Sequence, residues 1–249
     1  MLLADPCFSS AGGFGCPFKD VFKIKERLTA VINQIVASDE IDFWGILGDN
    51  FYESNQAGGG MTKSFFDSIS LEAKSKPFLT VPGNHDFWIA GHPPGQGHID
   101  QFAYGFMQMF PQDTEAGLKG KAPFDFSVPA ATGSIPVQDN FIFSHQMGDI
   151  AFFGFSGAHH KDELTPQVQK FCKWLEDAPG INTAVILGHW NQDNLGCTTG
   201  MSAPDVYTAA SGMSGCDDKA LLFVDGHEHC NYVHPDFPEH GFLIGGNGM

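Results

Sequence analysis

Four short runs in this chain place ligand-type side chains directly after a glycine that ends an apolar segment. They are Gly48-Asp49-Asn50-Phe51-Tyr52, Gly83-Asn84-His85-Asp86, Gly188-His189 and Gly226-His227-Glu228-His229. A fifth apolar start, Leu2-Leu3-Ala4, runs into Asp5. Carboxylate, phenolate and amide oxygens mixed with imidazole nitrogens suit Fe(III), Zn, Mn and similar ions. The candidate ligands are Asp5, Asp49, Tyr52, Asn84, His189, His227 and His229. Seven are too many for one tetrahedral zinc but fit two ions that share a bridging carboxylate. Two metals about 3.5–4 Å apart clamp an in-line displacement at phosphorus and activate water near neutral pH. Each piece alone has a plain structural reading. Asp49 could be a turn or N-cap residue, and His189 a hydrogen-bonded histidine at a strand end. His227-x-His229 sets two imidazoles on one face of an extended segment, a spacing common by chance. Four glycine-terminated ends of the same kind are hard to explain as structure.

The elements that must position these groups read as an α/β pattern. Asp42-Phe43-Trp44-Gly45-Ile46-Leu47 is a near-continuous apolar run, as expected of a parallel strand buried on both faces. In open α/β sheets chemistry collects just past the carboxyl ends of such strands, where Asp49 falls. Residues 20–37 carry Val21, Ile24, Leu28, Val31, Ile32 and Ile35 at helical spacing. That helix completes a βαβ unit with a right-handed crossover. A second helix is expected over residues 62–73, with Phe65, Phe66, Ile69 and Leu71 as its apolar residues, and a strand over 77–81 delivers Asn84 and His85. Residues 87–122 read as irregular apart from a helix over 99–110. Shorter strands follow at 124–128, 140–144 and 150–155, the last two joined at Met147-Gly148-Asp149 as a hairpin. Thr165-Pro166 reads as N-cap and first-turn proline of a helix that buries Val168, Phe171, Cys172 and Leu175. Strands at 183–187 and 221–224 lead into His189 and His227, and 242–244 is a last strand. The expected architecture is a four-layer α/β/β/α sandwich: two mixed sheets face to face with helices outside, as a single domain over residues 1–249.

Composition bounds the function. The formal charge of −16 disfavours non-specific nucleic-acid binding, which needs Lys and Arg to neutralise phosphates. It leaves a phosphate substrate open, because bound cations reverse the local field. No stretch approaches the ~20 apolar residues of a membrane span, and no signal peptide is visible. Among six cysteines, Cys7 with Cys16 and Cys197 with Cys216 would close short Gly-rich loops of the kind disulfides pin. Cys172, on the apolar side of its helix, reads as a buried thiol. The Gly-rich loop after Cys7 lacks the GxGxxG spacing and the Walker lysine-hydroxyl pair, and reads as surface.

In order along the chain, Gly48-Asp49-Asn50-Phe51-Tyr52, Gly83-Asn84-His85-Asp86, Val185-Ile186-Leu187-Gly188-His189 and Gly226-His227-Glu228-His229 resemble the calcineurin-like metallophosphoesterase superfamily. The resemblance spans roughly Asp5 to Gly246. A tyrosine three residues after the aspartate, Tyr52, resembles the purple acid phosphatases within it, especially the tartrate-resistant type. The resemblance implies an Fe(III)-type ion held by Asp5, Asp49, Tyr52 and His229, with Asp49 bridging. It implies a second ion, Fe(II), Zn or Mn, held by Asn84, His189 and His227. His85 would not ligate; it would stabilise phosphoryl charge and help protonate the leaving alkoxide. The implied activity is phosphomonoester hydrolysis of an acid-phosphatase type by attack of a metal-bound hydroxide, on a small phosphoester. The implied compartment is secreted or lysosome/vacuole-like.

Departures leave alternatives open. Asp5-Pro6-Cys7 stands where the family has Asp-x-His, or Asp-x-Gly in the purple group; Cys7 could add a thiolate, or sit in a disulfide or as a buried thiol. Trp190-Asn191-Gln192 follows His189 where relatives often have a proline-containing turn. Fewer strands follow the last histidines than the family normally has, so truncation at either end stays open. A phosphodiesterase of the same superfamily, or a degenerate metal-binding member, is the competing reading. Trp88, His92, His98, His159 and His160 are candidates to line the pocket.

Overall fold

The computed structural model describes residues 1–8, 23–51, 60–87, 106, 110, 141–191 and 200–245. Strand β2 (Trp44–Leu47) is buried at all four positions, as a strand covered on both faces must be. It pairs in parallel with β1 (Leu2–Leu3), Leu3 opposite Ile46, and with β3 (Phe78–Val81), Leu47 opposite Val81. The order β1-β2-β3 therefore sets the residues that follow each strand side by side. Among the described residues this sheet is parallel throughout, rather than mixed.

The second sheet is mixed and has the order β4-β5-β6-β7-β9-β8. Strands β4 (Phe143–Met147) and β5 (Ile150–Gly154) form the expected hairpin, with β4 running on to Met147 rather than ending at residue 144. Met147 pairs with Ile150, leaving Gly148-Asp149 as a two-residue turn with Gly148 at φ 61°. Strands β6 (Thr183–Leu187), β7 (Ala220–Asp225) and β9 (Gly241–Leu243) continue parallel to β5, and β8 (Tyr232–Val233) pairs antiparallel with β9 at the edge.

Alternation along the strands produces the layers. Ala4, Leu47, Leu79 and Val81 of the first sheet meet Phe143, Phe152 and Leu187 of the second in the core between the sheets. Trp44 and Ile46 turn the other way, into a core shared with Leu28 and Ile32 of helix α1 (Ile24–Ile35). On the far side, helix α5 (Lys161–Glu176) buries Leu164, Val168, Phe171, Cys172 and Leu175 at three- and four-residue spacing. Helix α6 (Ala203–Ser211) adds Ala203, Val206 and Ala210. Each such large side chain contributes about 1.5–3 kcal/mol on burial. Helices thus cover both outer faces, giving the α/β/β/α arrangement.

Several local expectations need correction. The helix expected over 62–73 is two: α2 (Gly60–Ser68) and α3 (Leu71–Lys74), broken where Ser70 turns extended and caps Ala73 N. That break turns Leu71 outward, leaving it 78 % exposed instead of buried. Helix α5 starts earlier than Thr165-Pro166. His160 and Glu163 form a capping box at its N-terminus, and Pro166 lies inside the helix. The helix expected at 99–110 and the strand at 124–128 lie outside the described residues, apart from the buried Phe106 and Phe110.

The cysteine pairing also differs. Cys172 is not a thiol but is bonded to Cys216, 44 residues away, tying α5 to the turn before β7; the Cys197–Cys216 pairing is therefore excluded. Cys7 is disulfide-bonded to a partner outside the described residues, and Cys230 is free and exposed. Closing a loop of this length restricts the unfolded chain and typically contributes about 2–4 kcal/mol. A Cys172→Ala/Cys216→Ala variant is therefore expected to melt roughly 10 °C lower than the parent at neutral pH in differential scanning calorimetry. An unchanged melting temperature would show that the bond adds nothing to the native state.

Candidate metal centre

The loops after β1, β2, β3, β6 and β7 converge at one end of the two sheets. The Asp5 amide donates to Gly48 O at 3.3 Å, keeping the ends of β1 and β2 in register. Asp49 follows Gly48, which is at φ 83°. Asp5, Asp49, His227 and His229 all have φ between 48° and 77°. Such backbone is rare for non-glycine residues and clusters where a site dictates side-chain direction.

Asp86, in the single-turn helix α4 (Asn84–Phe87), fastens the β2 and β3 loops together. Its Oδ2 accepts from Gly83 N at 2.7 Å, Asn50 Nδ2 at 3.0 Å and Asn50 N at 3.2 Å. Asn50 Nδ2 also donates to Val81 O at 3.0 Å. Burial and the Asp49 charge push the Asp86 carboxyl up to about 7. Sequence reasoning gave Asp86 and Asn50 no role; the available signal was Asp86 placed three residues after Gly83, the spacing of a local side-chain cap.

His189 is fully buried, and its Nδ1 donates to Leu47 O at 2.9 Å. That bond fixes the tautomer and leaves the Nε2 lone pair facing the cluster, as for a metal-ligating histidine. Around Nε2 lie Asn84 Oδ1 at 3.2 Å, His227 Nδ1 at 3.2 Å and Asp49 Oδ1 at 3.5 Å. Asn84 Oδ1 is also 3.0 Å from His227 Nδ1. A second group, Asp5, Asp49 and His229, has ligand atoms within 4.8 Å of one another. His229 Nε2 is 3.5 Å from Asp5 Oδ1, and the His227 amide donates to Asp5 Oδ2 at 2.8 Å. Asp49 belongs to both groups.

The electrostatics are those of a site short of positive charge. Burial and the nearby Asp49 raise the Asp5 carboxyl well above the usual range. Burial would raise Asp49 too, but His189, His85 and His227 hold it below its ordinary value. Burial lowers His189 to about 4, and lowers His227 and His229 as well, so the imidazoles are neutral donors. Asp5 Oδ1 is buried without a hydrogen bond. A Cβ at Gly83 would lie 2.3 Å from Asp49 Oδ1 and 2.8 Å from His189 Nε2. Two neighbouring carboxylates, neutral imidazoles and an orphaned oxygen fit a pair of cations.

Of the expected site residues, Asp5, Asp49, Asn84, His189, His227 and His229 are brought together here. Tyr52 lies outside the described residues, as do Trp88, His92 and His98. His85 is buried beside the cluster, its amide donating to Asp49 Oδ1 at 2.8 Å. His160 is exposed and caps a helix, and His159 is buried with its ring 5.5 Å from that of Phe141. The disulfide at Cys7 removes the thiolate-ligand alternative. Trp190 is buried, packed edge-on against the His189 ring, so it backs that imidazole from the protein side.

The family model described as calcineurin-like phosphoesterase matches residues 20–231. No curated protein matches the sequence. Among solved structures, a purple acid phosphatase from yellow lupin (Lupinus luteus) seeds superposes with a TM-score of 0.57 at 17 % identity, covering 100 % of this chain and 44 % of that one. GAP50, the anchor in the inner membrane complex of Plasmodium, gives 0.57 at 16 % identity, covering 100 % and 71 %. A dimetal phosphatase from Danio rerio gives 0.53 at 11 % identity, covering 100 % and 87 %. The chain thus spans less than half the length of the lupin enzyme. At these identities the structures share the fold.

Proposed function

We propose, from the premise that this chain belongs to the calcineurin-like phosphoesterase family, that it is a dinuclear metal phosphomonoesterase of the acid-phosphatase type. The observation that carries this reading is that Asp49 belongs to both ligand groups, 3.5 Å from His189 Nε2 on one side and grouped with Asp5 and His229 on the other. Asp5, Asp49 and His229, with Tyr52, would hold one ion, Fe(III); Asn84, His189 and His227, with Asp49 shared, would hold Fe(II), Zn or Mn. The pair would supply Lewis-acid charge at the phosphoryl oxygens and an activated water.

The remaining work falls to this chain's own side chains. Leu47 O holds the His189 proton on Nδ1, and burial keeps the ring neutral, so the Nε2 lone pair is available to the site. Asp86 and Asn50 hold the two loops at a fixed separation, which orients Asn84 and Asp49 without spending a ligand on the task. The backbone amide of His85 donates to Asp49 Oδ1, which holds that carboxylate and the His85 backbone at a fixed separation. The His85 imidazole would face the phosphoryl group and pass a proton to the leaving alkoxide oxygen. The donors are in place before substrate arrives, so little reorganisation is needed during reaction. A small phosphoester is the substrate class, and a secreted or lysosome/vacuole-like compartment is in keeping with the Cys172–Cys216 bond.

The test is turnover of an aryl phosphomonoester beside an aryl phosphodiester, by protein whose metal content and visible spectrum are measured in the same preparation. Two ions per chain with the monoester preferred is the expected result, together with a tyrosinate-to-Fe(III) band if Tyr52 coordinates iron. Preference for the diester would move the assignment to a phosphodiesterase. Fewer than two ions without hydrolysis would make the chain a degenerate member.

A further inference from the structure

On the outer face of the second sheet, adjoining the six convergent residues but facing the other way, lies a polar group that the reading above does not use. Val224 packs into the core between the sheets, so Asp225, the next residue, points to the opposite face. Asp225 pairs across the ladder with Leu243, and Leu243 pairs with Tyr232. Residues in one register row share a face, so Asp225 and Tyr232 flank Leu243 on the same side. The Tyr232 hydroxyl donates to Glu228 Oε2 at 3.0 Å. The Asn191 side chain lies beside that hydroxyl, and the Glu228 charge acts on both Tyr232 and Asp225. The four residues thus come from three segments: the turn after β6, the end of β7 with its following loop, and β8.

One of them is anomalous. Asp225 is 0 % exposed and neither carboxyl oxygen has a hydrogen bond, while Asn191, 3 % exposed, donates from its amide nitrogen to the Tyr232 hydroxyl and keeps Oδ1 free. Buried polar groups in native proteins nearly always have a partner, and an orphaned carboxyl is among the costliest exceptions. The set is all oxygen apart from the Asn191 amide nitrogen, with two carboxyls to match a divalent charge. Glu228 and Tyr232 are half-buried at the sheet edge and leave a route from solvent.

We propose that Asp225, Asn191 Oδ1, Glu228 and the Tyr232 hydroxyl form a separate cation site that takes Ca²⁺. Oxygen donors without imidazole or thiolate select a hard ion over zinc or iron. Calcium accepts irregular geometry and six to eight oxygens, including water, whereas magnesium demands a near-octahedral set that three independent segments do not readily provide. The proposal does not depend on the phosphatase reading.

The probe is Tb³⁺, a luminescent stand-in for Ca²⁺ sensitised by nearby Tyr and Trp, here Tyr232 and Trp190. It is titrated into protein already carrying its transition metals. The expected result is one saturable Tb³⁺ per chain, displaced by Ca²⁺, with affinity at least tenfold weaker in Asp225→Asn and retained in Asp49→Asn. Parent-like Tb³⁺ affinity in Asp225→Asn overturns the site. Loss of the signal in Asp49→Asn also overturns it, because the ion would then sit in the dinuclear centre. If Asp225→Asn does not fold, Asn191→Ala serves in its place, with weakened binding expected and unchanged binding fatal to the proposal.

Discussion

Replacing Asp49 by Asn is expected to reduce phosphomonoester hydrolysis by roughly 10³-fold or more, equivalent to about 4 kcal/mol of transition-state stabilisation. The substitution keeps the shape and keeps an oxygen able to accept the His85 amide, so the loops stay where they are. It removes the one negative charge shared by the two ligand groups. The metal content should fall below two ions per chain, because a bridging carboxylate serves both. The histidines do not compensate: the Asp49 charge raises the pKa of His189 and His227, so its loss leaves both rings neutral. Asp5, which the same charge helps to raise, returns toward its ordinary range. Metal-free parent and variant should therefore differ by no more than about 1 kcal/mol in stability. Activity, metal analysis and thermal melts on one preparation separate loss of function from loss of fold. A variant with parent-like turnover would end the dinuclear assignment.

The features that could be read from the sequence were those with local signatures. A strand buried on both faces must be a continuous apolar run, and β2 is one. The Gly148-Asp149 turn and the buried stripe of α5 follow from two- and 3.6-residue periods, and both were legible. What was not legible depends on long-range geometry. Nothing local to Cys172 says that Cys216 will lie against its helix, whereas the short loop to Cys197 looked easier to close. Thr165-Pro166 is a strong local cap signal, yet α5 starts five residues earlier, where His160 with Glu163 closes a capping box. Residue types at the metal centre were visible, but the positive φ angles that aim Asp5, Asp49, His227 and His229 were not, since only glycine advertises that backbone. Asp225 went unremarked for a similar reason. At the end of an apolar run it looks like a surface residue, and only the register with Leu243 and Tyr232 shows that it is buried.

Gly83→Ala carries the second large effect, and it separates the arrangement of the donors from their identity. No ligand is removed, yet the added methyl would stand 2.3 Å from both Asp49 N and Asp49 Oδ1, and 2.8 Å from His189 Nε2. The first is backbone and the others are fully buried, so nothing flexible can swing away. Relief must come from moving the β3 loop off the β2 loop, against the Gly83 N to Asp86 Oδ2 bond that holds them. Overpacking of this kind costs about 1–3 kcal/mol, or roughly 5 °C in melting temperature for a chain of this size. The catalytic loss should be larger than that suggests, because displacing reacting groups by about 1 Å can cost 10²-fold in rate. Gly180→Ala is the matched control: nothing lies within 4 Å of its Cβ, so neither turnover nor metal content should change. Both variants are assayed well below their melting temperatures, where each is folded. If Gly83→Ala keeps both ions and parent turnover, the β2 and β3 loops are not held in the register that Asp49 and Asn84 require, and the dinuclear geometry must be rebuilt from other residues.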